Sequence, residues 1–418
     1  MRKKIVTFRI FLLLIFLMNH TETFSQRFSN KKISRIISKE KSLDGSSVAF
    51  SLGQLSNSKR IVDYNSDKLM TPGSNVKLLT LYMGLKNFDS FPILNYRKKN
   101  DKFYFWSTGY PLLKHPKKND SPIIELLKSQ KDSLVYIVKK NQSELLGPGW
   151  AWDDVNYYFS PERSIFPIFG NLIKIKKTKN DKNKLDFVPK YFEDKLLDNQ
   201  LKFVNDFKVS NNKDSILIPF RTNDSLFVKL LEDEIGKKID IKYNELELSE
   251  NFKTIYSNDK ALYELLIQDS DNLVAESIIM MTSGKGSNRF NIEQQIKTFQ
   301  KNEFTDWSDK IFWIDGSGMS RYNLLNTEFI LYVLNKIYEI LGKQGIVNLF
   351  PRYFLNYNKI GSVFAKTGTL RNNRVLSGYI YKGEKKYVFS LMVSNHRSNI
   401  EYLNNSFKNI LLKIAKKL

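Results

Sequence analysis

With 418 residues, 42% of them hydrophobic and 13% aromatic, the chain is long enough for two or three domains or one large domain with an insertion, and too apolar to be disordered. Its net charge of +23 suits anionic surroundings such as cell-wall polymers or lipid head groups, unless the scattered lysines are only a compositional bias. The absence of cysteine excludes disulfides, thiolate metal sites and a lipidated cysteine, and three histidines (His20, His115, His396) supply Ser-His-Asp or zinc chemistry poorly, so a hydrolase here would turn to lysine for its base.

Arg2, Lys3, Lys4 and Arg9 precede an apolar run over 10–18, and a polar stretch ends near Ser25-Gln26. That order predicts a secretory signal over 1–26 and places the protein in the periplasm or cell envelope. The run is short for a membrane span, and whether it is cleaved or kept as an anchor stays open. Without it about +20 of charge remains, and an exported chain has no nucleic acid to meet.

Residues 27–45 are polar and helix-compatible, and 47–52 and 60–64 read as a strand hairpin. Then comes Pro72-Gly73-Ser74-Asn75-Val76-Lys77-Leu78-Leu79-Thr80. The Pro-Gly pair stops one element, and an apolar helix follows. Ser74 would open that helix with Lys77 one turn later on the same face. A helix N-terminus stabilises an anion at the serine, and a desolvated neutral lysine can take its proton. The spacing alone is cheap, since it recurs at Ser29, Ser38, Ser56, Ser210 and Ser257; only Ser74 has both the Pro-Gly turn and the apolar helix. By itself the pair is also a helix cap with a solvated lysine.

Residues 88–250 look different: short strand-like runs (103–106, 133–138, 216–220) lie between turns rich in lysine and asparagine. The turn Gly147-Pro148-Gly149-Trp150-Ala151-Trp152-Asp153-Asp154 reads as an aromatic cluster pinning a loop, with a sugar or peptide groove as the other reading. Asp153 and Asp154 would diverge on a strand, which gives poor support for a paired-carboxylate glycosidase. Helical patterning resumes at Asp259. Ser270-Asp271-Asn272 stands at a helix junction, where the serine can relay a proton and the asparagine can bind an amide, or the triplet can simply cap a helix. The turn Asp315-Gly316-Ser317-Gly318-Met319-Ser320 lacks phosphate-loop spacing and reads as structural support near the site. A helix over 326–342 precedes Val363-Phe364-Ala365-Lys366-Thr367-Gly368-Thr369-Leu370, a strand that turns polar at its middle. Lys366 offers a cation, Thr367 and Thr369 offer hydroxyls, and Gly368 lets backbone approach; such an edge suits an extended peptide ending in a carboxylate. Strands at 377–381 and 387–393 and a final helix follow. Strands at both ends with helices between predict one sheet built from both ends of the chain, with the middle inserted.

Ser-x-x-Lys, Ser-Asp-Asn and Lys-Thr-Gly, in that order and in a chain so poor in histidine, are the active-site set of serine penicillin-recognising enzymes. The wording resembles the class C low-molecular-mass penicillin-binding proteins, the D-Ala-D-Ala carboxypeptidase/endopeptidase family. It does so at Pro72 to Thr80, at Ser270-Asp271-Asn272-Leu273-Val274-Ala275-Glu276, at Asp315 to Ser320, and at Ala365 to Leu370 with Leu376-Ser377-Gly378-Tyr379. Both chain ends match well and the middle loosely, and Gly73 stands where the family has alanine.

The resemblance implies an α/β (α+β) fold: a serine β-lactamase/transpeptidase-like domain from 27–90 and 250–418, its sheet flanked by helices, with a β-rich insertion at 91–249. It implies Ser74 as nucleophile, Lys77 as its base, and Ser270 with Lys366 as proton relay. Asn272 would hold the substrate amide, Thr367, Gly368 and Thr369 would bind the end of the peptide, and the N–H groups of Ser74 and Thr369 would face the oxyanion. The implied partners are peptidoglycan peptides, with β-lactams as acylating inhibitors; no metal or organic cofactor is implied. An esterase or amidase of β-lactamase type and a non-catalytic wall-binding homologue are the other readings. Carboxypeptidase against endopeptidase action, cross-link preference, the deacylating base, the role of the insertion and oligomeric state stay open.

Overall fold

A computed structural model describes residues 29–55, 60–118, 122–177, 185–195, 215–243, 251–285, 289–354 and 361–416. The expected signal over 1–26 lies outside them. Among the described residues, no helix is long and apolar enough to cross a membrane.

The chain opens with α1 (Asn30–Ile37), then β1 (Ser47–Gln54), β2 (Arg60–Tyr64) and α2 (Lys77–Asn87). Next come β3 (Phe91–Lys99), β4 (Lys102–Trp106), α3 (Pro122–Ser129), β5 (Ser133–Ile137), β6 (Leu172–Lys177), β7 (Leu185–Val188) and β8 (Ser215–Pro219). They are followed by α4 (Asp224–Ile235), β9 (Ile239–Lys242) and β10 (Lys253–Ser257). The last third holds α5 (Ala261–Ile267), α6 (Asn272–Gly284), α7 (Ile292–Glu303), α8 (Thr327–Leu349), β11 (Arg352–Tyr353), β12 (Ser362–Leu370), β13 (Asn373–Lys382), β14 (Lys385–Ser394) and α9 (Ile400–Ala415).

The two chain ends meet in one antiparallel six-stranded sheet, β11-β12-β13-β14-β1-β2. Period-two patterning explains how both faces are used. On β1, Val48, Phe50 and Leu52 join Tyr387, Phe389, Leu391 and Val393 of β14 in a core shared with Ile33 of α1 and Phe407 and Ile410 of α9. Ala49, Val388 and Met392 face the other way, into the larger core with α2, α6 and α8. The sheet is therefore packed between helices on both sides.

The middle of the chain folds into two further sheets. A five-stranded sheet runs β10-β3-β4-β5-β9. Its parallel pairs, β4 with β5 and β5 with β9, are each reached through a helix, α3 and α4, as parallel pairing requires a crossover. A small antiparallel sheet, β7-β6-β8, branches from the second crossover. The mixed α/β architecture, sheets with flanking helices, agrees with the expected class. The expected boundary at 250 needs one correction. Lys253–Ser257 pairs with Phe91–Lys99, so this strand belongs with the inserted sheet. A five-residue strand carries no sign of its partner in its own sequence when that partner lies some 160 positions away.

Candidate active site

Pro72 leads into a 3₁₀ turn, Gly73–Val76, that runs directly into α2. Gly73 has φ +50°, the left-handed region that favours glycine. A Cβ at this position would lie 3.0 Å from the Thr369 amide nitrogen. Gly368 is as tightly placed, since a Cβ there would fall 2.2 Å from the Pro72 carbonyl oxygen. Two glycines thus let the serine turn press against the polar half of β12, where Asn75 Nδ2 donates to the Lys366 carbonyl at 3.1 Å. β11 pairs with Val363 and Phe364, and the Pro351 carbonyl accepts from Ala365 N, which leaves the edge from Lys366 onward to the turn and the cleft.

Lys77 is fully buried. Its Nζ lies 3.2 Å from Ser74 Oγ, 2.5 Å from Asn272 Oδ1 and 2.6 Å from the Ser317 carbonyl oxygen. Burial pulls its pKa down to about 8, against the opposing pull of Asp315, Asp271 and Glu276. A neutral amine has two N–H bonds and one lone pair. The fixed acceptors on Asn272 and Ser317 take the two N–H bonds, so the lone pair is left for the Ser74 hydroxyl.

Asp271 caps α6, its Oδ1 accepting from Val274 N at 3.0 Å. His115 stands 3.3 Å from the other carboxylate oxygen. Its Nδ1 accepts from Lys117 N, so the Nε2 proton is the one that points at Asp271. Burial alone would raise the Asp271 pKa, but His115 and the Val274 amide outweigh it and hold the carboxylate below its ordinary range. Ser270, just before this cap, has φ +56°, strained for a serine. That turn aims its Oγ at Lys366 Nζ, 2.9 Å away. Lys366 is buried, and its pKa is held well below the lysine value, first by desolvation and then by the charges of Lys77 and Arg374.

The glycine-rich turn after Trp313 wraps one buried carboxylate. Asp315 accepts from the amides of Gly318 (2.9 Å) and Ser320 (2.7 Å) and from Asn323 Nδ2 (2.7 Å). Gly318 backs directly onto the Gly73 backbone, where a Cβ would come within 2.0 Å of the Gly73 carbonyl oxygen. Trp150 Nε1, from the inserted region, donates to Asp315 at 2.9 Å. The aromatic turn therefore pins a loop, and its far end borders the cleft: Asp153, Asp154, Tyr157, Tyr158 and Phe159 line a space of about 1040 Å³ together with Ser74, Ser270, Asn272 and Thr369.

The structure brings Ser74, Lys77, Ser270, Asn272 and Lys366 together and sets Gly368 and Thr369 against the serine turn. Asn272 has both ends of its amide engaged within the protein, since Nδ2 donates to the Phe159 carbonyl at 2.7 Å. Its observed work is to orient Lys77 and to tie α6 to the inserted region. Thr367 follows Lys366 on β12 and is half-buried; its carbonyl lies 3.2 Å from Lys366 Nζ. Thr369 Oγ1 accepts from Arg374 Nη1 at 2.5 Å, and Asn404 of α9 holds the same guanidinium through Nη2 at 2.8 Å. Sequence reasoning missed Arg374. The signal was available in Arg371-Asn372, a hairpin turn with Asn372 at φ +64°, which sets Thr369 directly across from Arg374. It also missed the carbonyls of Phe159 and Ser317, because a backbone acceptor has no residue signature.

Comparison with known proteins adds an independent line. The model of the D-Ala-D-Ala carboxypeptidase 3 (S13) family matches residues 29–228 and 199–411. The comparison with curated protein sequences found no match. Among solved structures, penicillin binding protein 4 (dacB) from Haemophilus influenzae superposes with a TM-score of 0.72 at 18% identity, covering 92% of this chain and 99% of that one. The predatory endopeptidase Bd0816 of Bdellovibrio bacteriovorus, solved with the immunity protein Bd3460, gives 0.52 at 13% identity over 89% of this chain and 94% of that one. The peptidoglycan endopeptidase Bd3459 of the same organism gives 0.52 at 13% identity over 89% and 93%. At such identities these likenesses are likenesses of fold.

Proposed function

The chain belongs to the D-Ala-D-Ala carboxypeptidase 3 (S13) family and is a class C low-molecular-mass penicillin-binding protein; from that premise we propose that it is an exported serine D-Ala-D-Ala carboxypeptidase, DD-endopeptidase or both, acting on peptidoglycan stem peptides through an acyl-enzyme on Ser74. The observation that carries the reading is the buried Lys77 amine, held by two acceptors with its third direction on Ser74 Oγ.

Lys77 takes the hydroxyl proton as Ser74 Oγ attacks the carbonyl between two D-alanines or at a cross-link. The Ser74 and Thr369 amides face the developing oxyanion, and the contact of the serine turn with Thr369 N supports that role. The C–N bond breaks, and the leaving amine takes a proton through Ser270, which Lys366 contacts at 2.9 Å. Water then cleaves the ester and restores Ser74. Thr367 and Thr369 at the open edge of β12, with Arg374 behind Thr369, favour a substrate ending in a carboxylate. Export is supported by the basic, apolar and polar order of residues 1–26.

The test is the intact mass of the mature protein after exposure to penicillin, beside Ser74→Ala. One drug mass on the wild type and none on the variant is the expected result, followed by release of D-Ala or opening of cross-links in a muropeptide digest. No adduct and no drug turnover would overturn the reading, and rapid drug turnover without peptide cleavage would favour an esterase or amidase.

A further inference from the structure

Arg163 lies in the inserted region between the aromatic turn and β6, and its side chain is fully buried. A buried guanidinium without partners would be costly, and this one sits between two carboxylates. Nη2 is 2.7 Å from Glu276 Oε2, and Nη1 is 2.7 Å from Glu293 Oε1. Its Cζ also lies 5.2 Å from the centre of the Trp150 ring, whose Nε1 donates to Asp315. Glu276 is as buried as Arg163, and its second oxygen accepts from Ser317 N at 2.8 Å. The carbonyl of that same Ser317 accepts from Lys77 Nζ at 2.6 Å. An unbroken chain of short contacts thus runs from Arg163 through Glu276 and the Ser317 residue to the lysine.

We propose that Arg163 is a positioning residue for Lys77: it locks Glu276, Glu276 locks Ser317, and the Ser317 carbonyl takes one N–H of the base. The inserted region thereby sets the geometry and the charge around the lysine, beyond walling the cleft. The inference rests on Lys77 being the base of the proposed reaction. Lys77 faces Asp271 and Glu276 from α6, Asp315 from the glycine-rich turn and Lys366 from β12. Arg163 is the cation set against the Glu276 part of that field. Removing it takes a positive charge from that field, which favours protonated Lys77 provided Glu276 stays ionised against the burial that already pushes its carboxyl up; removing Glu276 has the opposite sign.

The test is the titration of Lys77 itself, followed by NMR in the full chain with labelled lysine and assigned by loss of the signal in Lys77→Met. Arg163→Met should raise the midpoint, by about one pH unit, so that the neutral fraction below it falls about tenfold. Glu276→Gln, which keeps the oxygen that accepts from Ser317, should lower the midpoint, and the double variant should lie between the two. A merely structural role for Arg163 would lower stability without moving the midpoint in this signed pattern. Should Arg163→Met not fold, the step from Glu276→Gln to the double variant removes the same guanidinium with its carboxylate already neutral, and a rise is again expected. Unchanged midpoints on that step and in folded Arg163→Met would overturn the inference. Absence of a penicillin adduct on the wild type would remove the proposed reaction but leave the titration to decide this point.

Discussion

The region built from both chain ends and the region inserted between them use polar residues differently. The first buries Lys77, Lys366, Asp315 and Glu276 inside packed helix and sheet, each held by fixed hydrogen bonds. The second reaches the same site by loops: the Phe159 carbonyl on Asn272, the Trp150 indole on Asp315, and exposed Tyr157 and Tyr158 at the cleft. Chemistry needs groups fixed to fractions of an ångström, which regular elements supply; substrate walls can ride on loops. If this division holds, substitutions in the first region should stop the reaction and those in the second should tune it.

The largest effects should come from the serine turn. Ser74→Ala should leave no acyl adduct by intact mass, a loss of at least about 10⁴-fold, as when the nucleophile of a catalytic set is removed. Lys77→Ala should slow penicillin acylation by about 10²–10⁴-fold, the range for a positioned general base. The wild-type acylation rate should rise with pH and level off near 8: below that value Lys77 is protonated and has no lone pair for Ser74, and above it the neutral amine dominates. A rate flat from pH 6 to 9 would assign the base elsewhere. Ser270→Ala should cost less, about 10²-fold, because Lys366 still stands within reach of the site.

The comparison also explains what the sequence made legible. Residues of the first region are readable because each motif combines residue type with local geometry: a Pro-Gly turn before an apolar helix for Ser74, a cap at Asp271, an apolar strand that turns polar at its middle for Lys366. The sheet joining both ends was legible from the same patterning. The inserted region was legible only as short strands and turns. Parallel β4-β5-β9 pairing and the return of β10 to β3 depend on contacts between distant segments, which no local period encodes. The sequence pattern ends α8 at 342 for a related reason: Gly342 breaks the helix at φ +61°, and the chain then resumes as helix to Leu349. The glycine announces the break, while the burial of Ile346 and Leu349 that carries the helix past it is tertiary.

Trp150→Phe sharpens the comparison from the inserted side. A six-membered aromatic ring stays, and the hydrogen bond to the buried Asp315 is lost with the five-membered ring of the indole, leaving Ser320 N and the Ser317 hydroxyl on that oxygen. A bond to a charged group is worth about 1.5–3 kcal/mol, so stability should fall by that order while acylation falls by about tenfold or less. A collapse of acylation comparable with Lys77→Ala would mean that the insertion takes part in the chemistry and would break the division.

The smallest expected effect is also the cleanest contrast between the regions. Gly73 and Gly236 both have positive φ, +50° before Ser74 and +71° at the end of α4. A side chain on either pays the left-handed backbone cost, about 1–2 kcal/mol. Around Gly236 nothing lies within 4 Å of an added Cβ, whereas at Gly73 the Thr369 nitrogen lies 3.0 Å away and the carbonyl carbon of Gly368 3.3 Å away. Those atoms are backbone, so relief requires β12 to move from the serine turn. Gly236→Ala should therefore lower the melting temperature through φ alone and leave acylation unchanged. Gly73→Ala should lower it somewhat further and slow acylation by less than tenfold, because the Ser74 and Thr369 amides would be pushed apart. Equal melting shifts and equal acylation rates for the two variants would show that the turn and strand have slack, and that the close fit at Gly73 is not what holds the amide pair.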